Sequence, residues 1–70
     1  MMKLSARNVL KGKITKVVPG VVNSEITLEL PGGAQVVAII TKESAEKLGL
    51  AADKQAYAII KASNVMIGVD

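Results

Sequence analysis

Cysteine, histidine, phenylalanine and tryptophan are absent from this chain, and tyrosine occurs once, as Tyr57. Without cysteine there is no disulfide framework, and without cysteine or histidine there is no thiolate or imidazole set for a zinc site. No glycine-rich phosphate loop runs into Lys-Ser or Lys-Thr. The six carboxylates, Glu25, Glu29, Glu43, Glu46, Asp53 and Asp70, are scattered rather than clustered for metal or acid–base work. The chain therefore reads as a non-enzyme with no catalytic cofactor. Long apolar runs are missing too: the longest, residues 36–40 and 56–60, have five residues each, against roughly 20 for a bilayer span. Arg7 and Asn8 fall where a signal peptide would need its apolar segment, so a cytoplasmic location is expected.

What is present is aliphatic. Half of the 70 residues are apolar, nearly all Val, Ile, Leu, Ala and Met, and small aliphatic side chains suit tightly paired sheets. Residues 1–70 make one domain, near the lower size limit for a single core, and with no staple available oligomerisation is the remaining support. The net charge of +3 suits an anionic partner, polymer or small ion.

Alternation marks the strands. Leu10, Gly12, Ile14 and Val18 share one face of a first strand, with Lys11, Lys13 and Thr15 on the other. Val18-Pro19-Gly20-Val21 fits a type II turn, with Gly20 at positive φ. Val22, Ser24, Ile26, Leu28 and Leu30 continue the inward face, and Glu25, Thr27 and Glu29 face outward, where Lys–Glu pairs would set the register. Pro31-Gly32-Gly33 makes the second turn. Residues 35–40 form a third strand, apolar on both faces, which points to a subunit interface. A helix of about two turns follows, with Thr41 as N-cap, Ala45 and Leu48 on one face and Gly49 as a left-handed stop. Residues 55–62 and 65–69 read as fourth and fifth strands. The order is that of a five-stranded, OB-like Greek-key barrel, mostly β, with one short helix between strands 3 and 4.

The groups available for chemistry are hydrogen-bond donors: the hydroxyls of Ser5, Thr41 and Ser44, the cations Arg7 and Lys61, and main-chain N–H groups left free by the helix start. Each has a plainer reading. Thr41 serves equally as the cap of a connector helix, Ser44 as a surface serine and Arg7 as a solvated cation. Lys61 ends an apolar run, where an ammonium needs either a partner or a route to water along its stem. An OB-type nucleic-acid binder fits the strand order and the charge, but such binders stack bases on several exposed aromatics, and Tyr57 alone makes no platform. A pure oligomerisation domain is a further alternative.

Taken in order, residues 2–8 (Met-Lys-Leu-Ser-Ala-Arg-Asn), 10–13 (Leu-Lys-Gly-Lys), 40–44 (Ile-Thr-Lys-Glu-Ser) and 58–67 (Ala-Ile-Ile-Lys-Ala-Ser-Asn-Val-Met-Ile) resemble the molbindins, the small molybdopterin-oxyanion or Mop proteins. The similarity runs from residue 2 to about residue 69. It implies an OB-like barrel of the kind also found in molybdate-responsive regulators and importer ATPases, binding molybdate or tungstate between subunits of a homohexamer built as a trimer of dimers. By resemblance, Ser5, Thr41 and Ser44 donate hydroxyls, Lys61 supplies charge, and Arg7 and Ala62 donate main-chain N–H groups, with Ala6 between. The protein would coordinate no metal atom directly. A second, largely main-chain site near a threefold axis maps to Gly20, Val21, Val22 and Asn23. Glu43 would have to point away from the anion.

Overall fold

The computed structural model describes residues 3–70, so Met2, the first residue of the lead-in motif, lies outside the described residues. The elements are β1 (Asn8–Pro19), β2 (Asn23–Glu29), β3 (Gln35–Thr41), α1 (Lys42–Leu48) and β4 (Gln55–Ile60), followed by a single 3-10 turn (Ala62–Asn64). The strands form one antiparallel sheet in the order β3-β2-β1-β4. Ile14, Ile26 and Leu28 are the buried centre, with Val17, Leu30, Val36, Ile40, Leu50, Ala56 and Ala58 packed around them.

The alternation of β1 holds only to Ile14. Ile14 sits opposite Leu28 and Lys16 opposite Thr27, so Thr15 is an extra residue in the ladder. Such a bulge shifts the inward phase by one. Val17, opposite Ile26, therefore turns toward the core, and Val18, expected inside, is 42% exposed. Lys13 stands opposite Glu29, one of the expected charge pairs, and its ammonium also meets Asp53 at 3.5 Å. Two glycines of this strand pair are required by close approach. A Cβ on Gly12 would lie 2.6 Å from the Glu29 carbonyl oxygen, and one on Gly20 would lie 2.7 Å from that of Asn23.

Gly20 does not adopt the positive φ of a type II turn. β1 continues through Pro19, which pairs with Ser24, and the Gly20 N–H donates to the Asn23 carbonyl at 2.8 Å. Residues 20–22 then carry the reversal, leaving Val22, expected to face inward, 70% exposed. The second turn is as the sequence implies, with Gly32 and Gly33 at φ 94° and 98°.

The helix forms where its end signals lie. Thr41 has extended geometry and accepts from the Ser44 N–H, and Gly49 closes the last turn at φ 64°. Ala45 is buried, while Leu48 on the same face remains 69% exposed.

A fifth strand is not formed. β4 ends at Ile60 rather than at residue 62, the chain turns through Ala62–Asn64, and residues 65–70 run on without a ladder partner among the described residues. A strand needs an edge to pair with, and this segment leaves the sheet; Met66, Ile67 and Val69 are almost fully exposed. The result is a curled four-stranded half-barrel rather than the closed five-stranded barrel expected. Between its two edge strands lies an open apolar groove of about 360 Å³, lined among others by Leu28, Ile40, Leu48, Tyr57 and Ile59. Val37 and Ile39, on the outer face of edge strand β3, are 58% and 60% exposed. Among the described residues no helix is long and apolar enough to cross a membrane.

Candidate functional site

The antiparallel register of β1 with β4 places Asn8 opposite Ile60. The residues just before β1 and just after β4 therefore meet at one end of the sheet, although more than fifty positions separate them in the chain. There, Ser5, Ala6, Arg7, Ile59, Lys61, Ala62 and Ser63 line an open cavity of about 570 Å³. Five of the residues singled out from the sequence are thus brought together. Ile59 and Ser63 were missed; the signal for Ser63 was its place directly after the Lys-Ala pair, and Ile59 carries no polar group that would mark it.

The cavity lining holds two cations and no carboxylate. Arg7 and Lys61 are both exposed, so the ammonium at the end of the apolar strand reaches water. The 3-10 turn adds main-chain donors. Its hydrogen bonds run from Asn64 N–H to the Lys61 carbonyl (2.9 Å) and from Val65 N–H to that of Ala62 (3.3 Å). The N–H groups at the start of such a turn have no acceptor within it, and here they belong to Ala62 and Ser63.

Thr41 and Ser44 are elsewhere. Thr41 lies opposite Asn23 and Pro19 opposite Ser24, so the helix start sits at the far end of β1 from Asn8. Β1 has 12 residues, which at about 3.3 Å per residue puts on the order of 30 Å of strand between the two groups. At the helix start the donor supply is smaller than the sequence implied. The Lys42 N–H donates to the Val22 carbonyl (2.8 Å), and the Ser44 N–H donates to Thr41 Oγ1 (3.1 Å). The Thr41 hydroxyl donates to Ser44 Oγ at 2.8 Å, leaving the Ser44 hydroxyl proton as the one free to point outward. Glu43 is drawn along the helix into an ion pair with Lys47 at 3.0 Å, away from Thr41.

The loop of Gly20, Val21, Val22 and Asn23 adjoins this second group, bound to it through the Val22 carbonyl and the Asn23–Thr41 pairing. Val21 projects almost fully into solvent. Chemically, the two groups offer hydroxyl, ammonium, guanidinium and amide donors, the chemistry of anion binding.

Residues 4–67 match the TOBE domain family. The chain is 42% identical over 69 residues to the probable molybdenum-pterin-binding protein of Haemophilus influenzae, covering 99% of this chain and all of that one. Its structure is similar to that of a molybdate-binding protein from Sporomusa ovata (TM-score 0.90, 31% identity, 97% of this chain and 100% of that one). It also matches the cytoplasmic molybdate-binding protein ModG in a molybdate-bound form (TM-score 0.94, 46% identity), covering 99% of this chain but 49% of the ModG chain.

Proposed function

The chain belongs to the TOBE domain family, among the molybdenum-pterin-binding or Mop proteins, and from that membership we propose that it binds molybdate or tungstate as a cytoplasmic store or buffer, without catalysis. The observation that carries this reading is the cavity at the Asn8–Ile60 end of the sheet. Side chains and amides from two distant segments converge there, two of them cationic, with no carboxylate among them.

The binding site is completed between subunits. An anion a few ångströms across makes hydrogen bonds of about 2.7–3.2 Å, so it cannot touch both Lys61 and Ser44 of one chain when β1 lies between them. A second copy supplies the missing group. The exposed Val37 and Ile39, the open groove and the exposed Met66, Ile67 and Val69 support assembly, since they are apolar surfaces that a lone chain leaves in water. The assembly proposed is a homohexamer, a trimer of dimers, with the loop of Gly20, Val21, Val22 and Asn23 as a second, mainly main-chain site.

A site whose side-chain oxygens are hydroxyls, with no carboxylate among them, selects by protonation and by size. Near neutral pH phosphate carries a proton, and a hydroxyl that already donates to the anion is a poor acceptor for it, so phosphate is penalised relative to a fully deprotonated oxyanion. Sulfate lacks that proton but is smaller, and donors fixed on two subunits cannot all close on it. Molybdate and tungstate are nearly alike and are hardly distinguished.

Equilibrium dialysis with metal analysis, paired with melting curves in molybdate, tungstate, sulfate and phosphate at matched ionic strength, tests the proposal. Molybdate and tungstate at about 100 times their dissociation constant should each add about 2.7 kcal/mol per site to the assembled state. Equal stabilisation by sulfate would replace the selective site with a generic anion patch, and an intact oligomer without oxyanion affinity would leave a pure assembly domain.

A further inference from the structure

The two limbs of the anion cavity, residues 5–7 and 61–63, are joined across the sheet by one side chain. Asn8, half-buried, donates from Nδ2 to the Ile60 carbonyl oxygen at 3.3 Å, over a sequence separation of 52. A carbonyl oxygen can only accept, so the amide nitrogen must be the end of Asn8 that faces it. The Ile60 carbonyl and the Lys61 N–H belong to the same planar peptide unit. Holding that oxygen therefore fixes the plane from which Lys61 leaves the strand, and with it the direction of the Ala62 and Ser63 amides in the turn that follows. At its other end Asn8 follows Arg7 directly. Asn8 does not line the cavity, yet both limbs hang from it. The remaining side-chain hydrogen bonds among the described residues join Thr15 to Thr27, Thr41 to Ser44 and Lys54 to Gly49, none of which touches either limb.

We infer that Asn8 is the positioning residue of the oxyanion site: its amide locks the Ser5–Arg7 limb to the Lys61–Ser63 limb at the spacing the anion needs, without contacting the anion itself. The inference rests on the molybdate reading above. It assigns Asn8 a part in affinity beyond its part in the ladder, because a displaced limb moves one cation and two amides at once.

The test compares Asn8→Ala with Thr15→Val by calorimetric titration with sodium molybdate, each variant first shown to assemble as the wild type does. Thr15 makes a comparable side-chain-to-carbonyl bond, to Thr27, away from the cavity, so its loss carries the stability cost without the positioning effect. Asn8→Ala should weaken molybdate binding roughly two- to tenfold, the range for one neutral hydrogen bond, and Thr15→Val should leave it unchanged. Equal losses in the two variants, or wild-type affinity in Asn8→Ala, would overturn the inference. A second readout needs no ligand. In the unliganded protein, hydrogen exchange at the Asn64 and Val65 amides, which bond to the Lys61 and Ala62 carbonyls, should quicken in Asn8→Ala and not in Thr15→Val; unaltered exchange is also fatal to it. Were wild-type protein to ignore molybdate, the functional reading would fail on that result alone, while the exchange measurement would still judge whether Asn8 holds the limb.

Discussion

Two variants that each bind molybdate poorly should regain binding when they assemble together. The first is Lys61→Ala, which on the proposed reading removes a charged donor from an anion that assembly would take out of water, at a cost of roughly 1.5–3 kcal/mol. The second is Ser44→Asp. Ser44 lies in the first turn of the helix, where an acidic side chain favours the fold, and the Ser44 N–H that bonds Thr41 Oγ1 is main chain and survives the change. A carboxylate about 4 Å from the anion opposes it by about 4 kcal/mol per unit charge at an effective dielectric of 20. Since β1 separates Lys61 and Ser44 within one chain, a site completed between subunits, as proposed, would draw the two groups from different copies. In a two-fold dimer of one variant with the other, one site carries both changes and its symmetry mate carries neither. Random pairing makes about half the dimers mixed, so about one quarter of all sites should show wild-type affinity. The variants are co-refolded and titrated with molybdate by calorimetry, where the restored sites appear as a separate tight phase. Absence of that phase from a mixture that has assembled would mean that both groups do not meet across an interface. Wild-type affinity in Lys61→Ala alone would remove Lys61 from the site.

Other outcomes follow from the packing. Gly12→Ala should destabilise the protein by about 1–3 kcal/mol, because the new Cβ meets the Glu29 carbonyl oxygen at 2.6 Å and main chain cannot swing aside; an unchanged urea midpoint would contradict this. Ile14→Ala, at the one fully buried large side chain among the described residues, should cost about 2–5 kcal/mol. Ile39→Ser, at a side chain 60% exposed in the chain, should instead weaken assembly, read by sedimentation equilibrium as smaller species at low concentration, and an oligomer unaffected by it would clear the outer face of β3 of any role in the interface.

Much of the local structure was legible in the residues themselves because its causes are local. Thr41 and Gly49 bound the helix through hydrogen bonds and dihedral preferences that act within a few residues, and Gly32 and Gly33 take the positive φ that their turn requires. The inward placement of Ile14, Ser24, Ile26 and Leu28 was legible for the same reason, since a strand alternates with period two. The grouping of Ser5, Ala6, Arg7, Lys61 and Ala62 is implied only by an ordered set of short motifs; the cavity they line exists because β1 and β4 pair in the register that sets Asn8 against Ile60.

What the residues alone did not disclose depended on partners distant in sequence. The bulge at Thr15 puts an extra residue into β1 against β2, and nothing in the alternation announces it, so Val18, which the alternation places inward, faces out. Gly20 was assigned a positive φ when its real constraint is the nearness of the Asn23 carbonyl, a contact visible only once the chain has turned back. The apolar residues 65–69 have the composition of a strand, but a strand is a relation between two edges, and among the described residues no edge pairs with them. The separation of Lys61 from Ser44 likewise appears only when the strands are laid in order, because sequence motifs state which groups are present while the sheet decides how far apart they stand.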